Sequence, residues 1–376
     1  MDDKILLLHC IETISSGGVD KLRLTLAQGL DKEKYKLKII CTQAHGALAE
    51  GLVKEGVDIY EVGAFKHPFE FSKHRKVLQV IKDYRPHIIH GAVFEGNTMA
   101  CIGGLRGRVP VIILEETSDP KNRSKKANWL LNTYTRFADR IIAISPSVAS
   151  YLEHTARIKR HKIQLINNGV ETPRAVTEEE IIALKRRYNI GATDLVIGSV
   201  GRLRNFHKLF TDIIEAVALL KDFSKIKILI VGEGEDRALI EETAKNLGLE
   251  SNLVMAGLQA DTAPFYQVMD IYCIASHMEG FGLVAAEAMF HQLPVVATAV
   301  GGLKDIVIDG ETGFLVPSHR PDKIAEKLQV LIGDPELRRS MGAKGLARAR
   351  AEYSAEAYVG KVHQLYQELL MEKGIQ

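Results

Sequence analysis

The chain has 376 residues, 46% of them hydrophobic and 26% charged, with a formal net charge of +2. That length exceeds one core and suits two domains of average size, and the composition excludes a disordered chain. No apolar run approaches the roughly 20 residues that span a bilayer, and the acidic start Met1-Asp2-Asp3-Lys4 leads into a strand rather than a signal peptide, so the expected location is cytoplasmic.

Short apolar runs alternate with helical patterns along the whole chain, which is the mark of parallel βαβ units. The expected strands of the first half are Lys4–Cys10, Leu37–Thr42, Asp58–Val62, Ile88–Gly91, Val111–Glu115, Arg140–Ile144 and Ile163–Ile166. A turn-rich segment, Asn167–Val176, carries Asn-Asn-Gly and Thr-Pro and reads as a linker. A charged helix follows over Thr177–Tyr188 with Thr177 as its N-cap. A second strand series is expected at Leu195–Val200, Lys227–Val231, Leu253–Ala256, Ile271–Ala275, Val295–Ala297 and Gly313–Val316. Ser354–Lys373 closes the chain as an amphipathic helix, with Val359, Val362, Leu365, Tyr366 and Leu369 at helical spacing. The fold class is therefore α/β, two doubly wound parallel sheets in tandem, with domains at 1–168 and 169–353 and a terminal helix in 354–376. Cys10, Cys41, Cys101 and Cys273 are scattered, and read as buried thiols rather than a zinc site or a disulfide framework.

Charge is uneven. Between Glu61 and Lys162 there are 18 Lys and Arg against nine Asp and Glu, a balance of +9 that leaves −7 for the remainder. A basic stretch favours an anionic partner, such as phospholipid head groups at the inner membrane face or a phosphorylated acceptor; a solvated basic surface fits equally well. Nucleic acid is not an expected partner. Trp129, beside Lys125, Lys126 and Tyr134, is either a contact for such a partner or, more commonly for an aromatic, part of the core.

The stretch Glu279-Gly280-Phe281-Gly282-Leu283-Val284-Ala285-Ala286-Glu287 is the richest in chemistry. It follows a strand, turns through glycines and starts a helix, leaving the amides of Gly282, Leu283 and Val284 aimed outward at the positive end of a helix dipole, where a phosphate docks. Glu279 and Glu287 flank that anion site. Carboxylates there would repel a phosphate unless they face sugar hydroxyls, which they accept in pairs. A ligand with a diphosphate between two polyhydroxylated rings, a nucleotide-sugar, satisfies the whole arrangement. Gly-Phe-Gly alone would be an ordinary βα turn; two glutamates at this spacing are what argue otherwise.

With these residues the chain resembles retaining glycosyltransferase family 4, whose signature is Glu, seven residues, Glu. Asn167-Asn168-Gly169-Val170, Ser199-Val200-Gly201-Arg202-Leu203, Ile230-Val231-Gly232-Glu233-Gly234, Ala299-Val300-Gly301-Gly302 and Gly310-Glu311-Thr312-Gly313-Phe314-Leu315-Val316 stand in the family's order. The resemblance is dense from about Asn167 to Pro317 and sparser before it. It implies the GT-B fold, two Rossmann-like domains facing a central cleft, an acceptor-side N-terminal domain, a donor-binding C-terminal domain, and a last helix that crosses back to the first. It also implies the roles. Glu279 positions the donor sugar and Glu287 the ribose; Gly232 and Glu233 lie under the nucleoside; Gly282, Leu283 and Val284 bind the diphosphate, and Gly17 and Gly18 form the N-terminal glycine loop. The charge on the leaving diphosphate needs a counter-ion. The chain has no Asp-x-Asp to hold a metal, so none is expected, and Arg202 with Lys208 supplies the charge.

Two departures stand out. The family pattern is Gly-Arg-Leu, three residues, Lys-Gly; here Gly201-Arg202-Leu203 reaches Lys208 one residue later, and Leu209 replaces the glycine. The family's His-x-His at the end of the fourth strand keeps His90 but has Ala92 in second place, which leaves His90, Glu95, Asn97 or the pair Glu115-Glu116 as acceptor-side candidates, His90 being equally a structural histidine. The resulting expectation is a metal-independent retaining enzyme that takes a UDP- or GDP-sugar to a glycan or lipid-linked acceptor in cell-surface polysaccharide biosynthesis. The alternative is a nucleotide-sugar epimerase of the same fold. An NAD-linked oxidoreductase is disfavoured because Val231-Gly232-Glu233-Gly234-Glu235-Asp236-Arg237 lacks a third glycine. A non-catalytic sugar-binding protein is disfavoured by the two glutamates.

Overall fold

The computed structural model describes residues 4–15, 17–118 and 123–375; Met1, Asp2 and Asp3, which enter the sequence reading above, lie outside them. Two compact units emerge. The first comprises Met1–Glu171 with Ser354–Gln376, and the second Thr172–Tyr353. The division falls at Glu171–Thr172, inside the turn-rich segment, and again at Tyr353–Ser354, where the last helix begins.

The first unit opens with β1 (Ile5–Cys10), β2 (Thr13–Ile14), α1 (Gly18–Gly29), β3 (Tyr35–Cys41) and β4 (Gln43–Ala44). There follow α2 (Ala47–Lys54), β5 (Asp58–Glu61), α3 (Phe71–Tyr84), β6 (Ile88–Ala92) and α4 (Val93–Gly107). It continues through β7 (Val111–Glu116), α5 (Lys125–Phe137), β8 (Arg140–Ala143), α6 (Pro146–His154) and β9 (Ile163–Leu165). Seven strands pair in the order β5-β3-β1-β6-β7-β8-β9, all parallel, and β2 pairs separately with β4. Strands covered on both faces need apolar side chains throughout, which is why Leu7 and Leu8, or Ile113 and Leu114, are all buried.

The second unit begins with α7 (Glu178–Arg187), β10 (Leu195–Val200), α8 (Asn205–Lys208), α9 (Phe210–Ala218) and β11 (Ile226–Val231). Next come α10 (Arg237–Asn246), β12 (Leu253–Gly257), α11 (Ala263–Val268), β13 (Ile271–Ile274) and α12 (Leu283–Phe290). It ends with β14 (Val295–Thr298), α13 (Leu303–Ile306), β15 (Gly313–Val316), α14 (Pro321–Gly333) and α15 (Pro335–Glu352). Its six strands run parallel in the order β12-β11-β10-β13-β14-β15. Thr177 caps α7 as its sequence indicates, in a capping box closed by Glu180.

The last helix, α16 (Ala355–Glu372), returns to the first unit. Ser354 caps it through the amide of Ala357, and Val170 pairs with Ser354 at its entry. Its stripe of Tyr358, Val362, Leu365, Tyr366, Leu369 and Leu370 shares one core with Leu22 and Leu26 of α1. At about 1.5–3 kcal/mol per fully buried large apolar side chain, this contact is a major support of the first sheet. All four cysteines are buried and unpaired. No helix of the described residues is long and apolar enough to cross a membrane.

Candidate active site

Each sheet changes winding direction once. In the second unit the chain moves outward from β10 to β11 and β12, then returns to lay β13 on the other side of β10 and continues to β14 and β15. The loops after β10 and β13 therefore diverge at neighbouring carboxyl ends, the position where ligands of open α/β sheets bind. Arg202 and Lys208 follow β10, and Glu279 and Gly282 follow β13. Strand order, not sequence distance, brings them together.

Lys208 Nζ donates to Glu279 Oε2 in an ion pair whose side chains are only 22% and 17% exposed. The residue read as a loop cation is the last of a short helix, α8, which takes up the extra residue of this loop. Asn205 starts that helix with its amide on Asp236 Oδ2 (2.6 Å) and its side chain on Thr211 (3.0 Å). Leu209, where the resembled family has glycine, adopts φ +41°, a left-handed backbone that explains the glycine preference. The histidines fasten α8 further. His277 N donates to His207 O (2.8 Å), and His277 Nδ1 and His319 Nε2 share a hydrogen bond of 3.0 Å. Arg202 is exposed and has no ion-pair partner among the described residues.

Gly282 stands at the N-cap of α12 with φ +107°, and a Cβ there would approach Leu303 Cδ2 to 2.6 Å, so both backbone and packing require glycine. Beyond it, the amides of Gly282, Leu283 and Val284 make no hydrogen bond among the described residues, as the first turn of a helix leaves them. The Glu279 carbonyl accepts from Gly302 N (2.9 Å), which holds the turn from behind. Glu287, inside α12, accepts from the Tyr266 hydroxyl at 2.9 Å. Burial first, then the Glu287 charge, pushes the Tyr266 phenol well above its ordinary range, so it keeps the proton it donates. Tyr266 also stacks on His291, 4.7 Å between centroids, whose Nδ1 lies 2.8 Å from the Glu287 carbonyl. Sequence reading missed Tyr266 and His277, since nothing in an apolar helix or a Ser-His-Met loop marks them.

Gly232 and Glu233 follow β11 beside the Arg202 loop. Gly232 has φ +145°, and a Cβ there would meet the Gly201 carbonyl oxygen at 1.9 Å. Leu203 N donates to Glu233 O (3.0 Å) and Asp236 N to Leu203 O (3.1 Å), so the two loops are tied by backbone. The Glu233 side chain pairs with Arg237 at 2.9 Å, on the surface.

The first unit has its own change of winding, between β1 and β6. The loop after β1 carries Gly17 and Gly18. Gly17 N and Ser15 N both donate to Asp20 Oδ2 (3.0 and 2.9 Å), so this carboxylate already occupies part of the glycine loop. β6 passes directly into α4 through Val93, whose φ of +66° is a left-handed backbone on a β-branched residue, and Glu95 follows in the first turn of α4. Partial burial, then the charges of Glu95 and Asp20, raises the Glu12 carboxyl above its ordinary range; Glu12 was absent from the sequence reading.

Several acceptor-side candidates are instead structural. Asn97 is buried and spends its amide on the backbone of Glu115, donating to its carbonyl (2.9 Å) and accepting from its N–H (3.0 Å). His90 is fully buried, 2.8 Å from the Tyr366 hydroxyl through Nδ1 and 3.1 Å from Glu115 Oε2 through Nε2. Tyr366 reaches His9 as well (2.9 Å), and Arg23 pairs with Glu115. Burial alone would raise the Glu115 carboxyl; Arg23 and His90 override it and hold it at about 2. Glu116 is buried against Arg123. Tyr366 of α16 closes over His9 and His90, and Arg23, His90 and Glu115 are buried against one another, so these groups are committed to each other. Trp129, by contrast, is 66% exposed, so its reading as core is wrong. Among the described residues, no three His, Cys, Asp or Glu side chains gather as a metal-binding group.

Comparison with known proteins identifies the fold and the family. A family model for glycosyl transferases group 1 matches residues 180–348, and one for glycosyltransferase family 4 matches residues 16–174. A capsular polysaccharide biosynthesis glycosyltransferase of Staphylococcus aureus is 30% identical over 62% of this chain, which spans 62% of that relative's length. An uncharacterized glycosyltransferase of Methanocaldococcus jannaschii is 30% identical over 72% of both chains. Among solved structures, the Anabaena protein HepE in complex with UDP superimposes with a TM-score of 0.85 at 20% identity, covering 97% of this chain and all of that one, 100%. The two Rossmann-like units are thus those of the GT-B fold. On these grounds the chain belongs to the family of group 1 glycosyl transferases, glycosyltransferase family 4.

Proposed function

We propose that the protein is a retaining, metal-independent glycosyltransferase that uses a UDP- or GDP-sugar as donor and a glycan or lipid-linked acceptor. The observation that carries this reading is the Lys208–Glu279 pair, which joins the loop of exposed Arg202 to the loop that leads into the unpaired first-turn amides of α12. A lysine has three donors, so one ammonium can hold Glu279 and still reach a phosphate oxygen. As the bond between sugar C1 and the β-phosphate oxygen breaks, charge develops on that oxygen. Arg202, Lys208 and the amides of Gly282, Leu283 and Val284 are preorganised to meet it. The same oxygen takes the proton of the acceptor hydroxyl as that hydroxyl bonds to C1 on the face being vacated, which retains the configuration without a protein nucleophile. Glu279 holds hydroxyls of the sugar, and Glu287, oriented by Tyr266, holds those of the ribose.

The UDP bound to the Anabaena structure favours a uridine donor, and the Staphylococcus relative favours a role in cell-surface polysaccharide synthesis. On the acceptor side, Glu95, in the first turn of α4 just after left-handed Val93, takes the place of the family's second histidine. The relatives named above are transferases, so the epimerase alternative gains nothing from them. A thermal-shift screen against UDP, GDP, ADP and their sugars tests the donor, because a ligand of the native state raises the midpoint. Product analysis with donor alone tests the class: slow hydrolysis agrees with a transferase, and isomerised donor refutes it.

A further inference from the structure

The first unit carries a basic cavity far from its change of winding. Parallel strands put the last turn of α5 and the α6–β9 connection at the amino ends of β8 and β9, whereas the Gly17 loop and Glu95 lie at carboxyl ends. There, Asn132, Thr135, Arg136, Arg157, Ile158, Lys159, His161 and Lys162 enclose about 210 Å³. The lining holds four formal cations and no carboxylate.

The nearby acids are engaged elsewhere, Asp139 with Lys373 (2.8 Å) and Glu153 with Arg160 (4.0 Å). Part of the basic character has a local purpose, since Lys162 Nζ caps the Ala138 carbonyl at the end of α5 (2.6 Å). That does not account for the rest. Arg157 and Lys159 have no hydrogen-bond or ion-pair partner among the described side chains, and Arg136 has only Asn132 Oδ1 (3.2 Å). The loop is also built with care. Arg157 takes φ +56°, and Asn132 Nδ2 clamps the carbonyls of Ala156 (3.0 Å) and Arg157 (2.8 Å) to keep it there. The left-handed turn itself closes α6, with Ile158 N on the Leu152 carbonyl; the arginine side chain it presents is exposed and lines the cavity beside like charges, an arrangement that an anion relieves. On the same helix, Phe137 and Trp129 are 55% and 66% exposed.

We infer that this cavity is a binding site for a phosphate-bearing anion, separate from the donor site and independent of the proposed reaction. Guanidinium forks at Arg136 and Arg157, with the ammonium of Lys159, offer the bidentate and point-charge contacts a phosphate takes. The exposed aromatics of α5 suit a phosphate carried on a lipid at a membrane surface; a soluble phosphate has the same chemistry and no use for them.

The test uses the full chain in 50 mM salt. Binding is measured by co-sedimentation with vesicles of phosphatidylglycerol and phosphatidylcholine (about 3:7), with pure phosphatidylcholine vesicles, and by titration with inorganic phosphate. Wild type is compared with the double variant Arg157→Asn, Lys159→Gln, where asparagine tolerates the left-handed backbone. Arg202→Ala is run alongside to subtract anion binding in the second unit. Loss of two cations should weaken binding by about thirtyfold, the equivalent of about 2 kcal/mol at ~1.4 kcal/mol per tenfold. Vesicle binding that needs phosphatidylglycerol and the two cations, and survives Arg202→Ala, identifies a lipid head group. Phosphate binding with the same dependence, without vesicle binding, identifies a soluble anion and equally supports the site. Binding alike in wild type and double variant, or none of either anion by wild type, overturns it. Should the double variant unfold, Lys159→Glu alone serves, with loss of binding expected.

Discussion

Lys208→Ala is the most discriminating perturbation of the donor site, because the structure sets its effect on rate and on stability far apart. An ion pair with side chains about four-fifths buried lies between an exposed pair, worth about 0–1 kcal/mol, and a fully buried one, whose disruption costs about 3–5 kcal/mol. About 1–2 kcal/mol of stability is therefore expected to go, or a few degrees in melting temperature for a unit of this size. The rate should fall much further. A preorganised donor to a developing oxyanion contributes about 3 kcal/mol of barrier, or about a hundredfold in kcat. The assay is UDP release at saturating donor, with melting by circular dichroism on the same samples. Glu279→Ala and the double variant complete a cycle. If the two side chains act as one unit, the double variant should be no slower than the slower single one. A Lys208→Ala enzyme within threefold of wild type, or a double variant slowed by the product of both single effects, would refute the reasoning.

Arg202→Ala should cost about a hundredfold in turnover with melting unchanged, and Arg202→Lys should recover only part, since the planar fork is lost; equal activity of Arg202→Ala and wild type counts against the role. Transfer should persist in EDTA, and activity abolished by EDTA and restored by Mg²⁺ would falsify the metal-independent proposal. Leu209→Gly should relieve about 1 kcal/mol of left-handed strain yet forfeit about 2–3 kcal/mol of apolar burial, a net destabilisation measurable in urea; a stabilised variant would show that strain dominates. Acid should weaken the first unit in two stages. Burial holds His9 and His90 below their ordinary 6.5, so the unfolded chain binds more protons and stability falls as pH drops below 6.5. Glu115, held at about 2 against an ordinary 4.5, contributes stability that is complete above 4.5 and lost as pH falls toward 2. Melting that is independent of pH between 7.5 and 5.5 would contradict the first stage.

What the sequence determined by itself is local. Short, mostly apolar runs marked the thirteen strands of the two main sheets to within one or two residues, because a strand buried on both faces is written that way; exposed edge strand β5 is the exception, and the two-residue strands β2 and β4 left no such mark. Glu279, Gly282 and Glu287 were legible together because one turn and one helix carry all three, and the Thr177 cap because a cap acts within its own turn. What only the tertiary structure decided is pairing across the sheet. Lys208 meets Glu279 over 71 residues because β13 lies against β10, and Tyr266 reaches Glu287 because α11 and α12 flank the same strand. His90 and Asn97 looked available for an acceptor as long as their surroundings were unknown. Tyr366 lies 276 residues beyond His90 in the chain, and Glu115 occupies the Asn97 amide from the next strand. No periodicity encodes such partners. Burial removes water as the competing ligand, and a polar side chain then takes whichever group the fold has placed within reach.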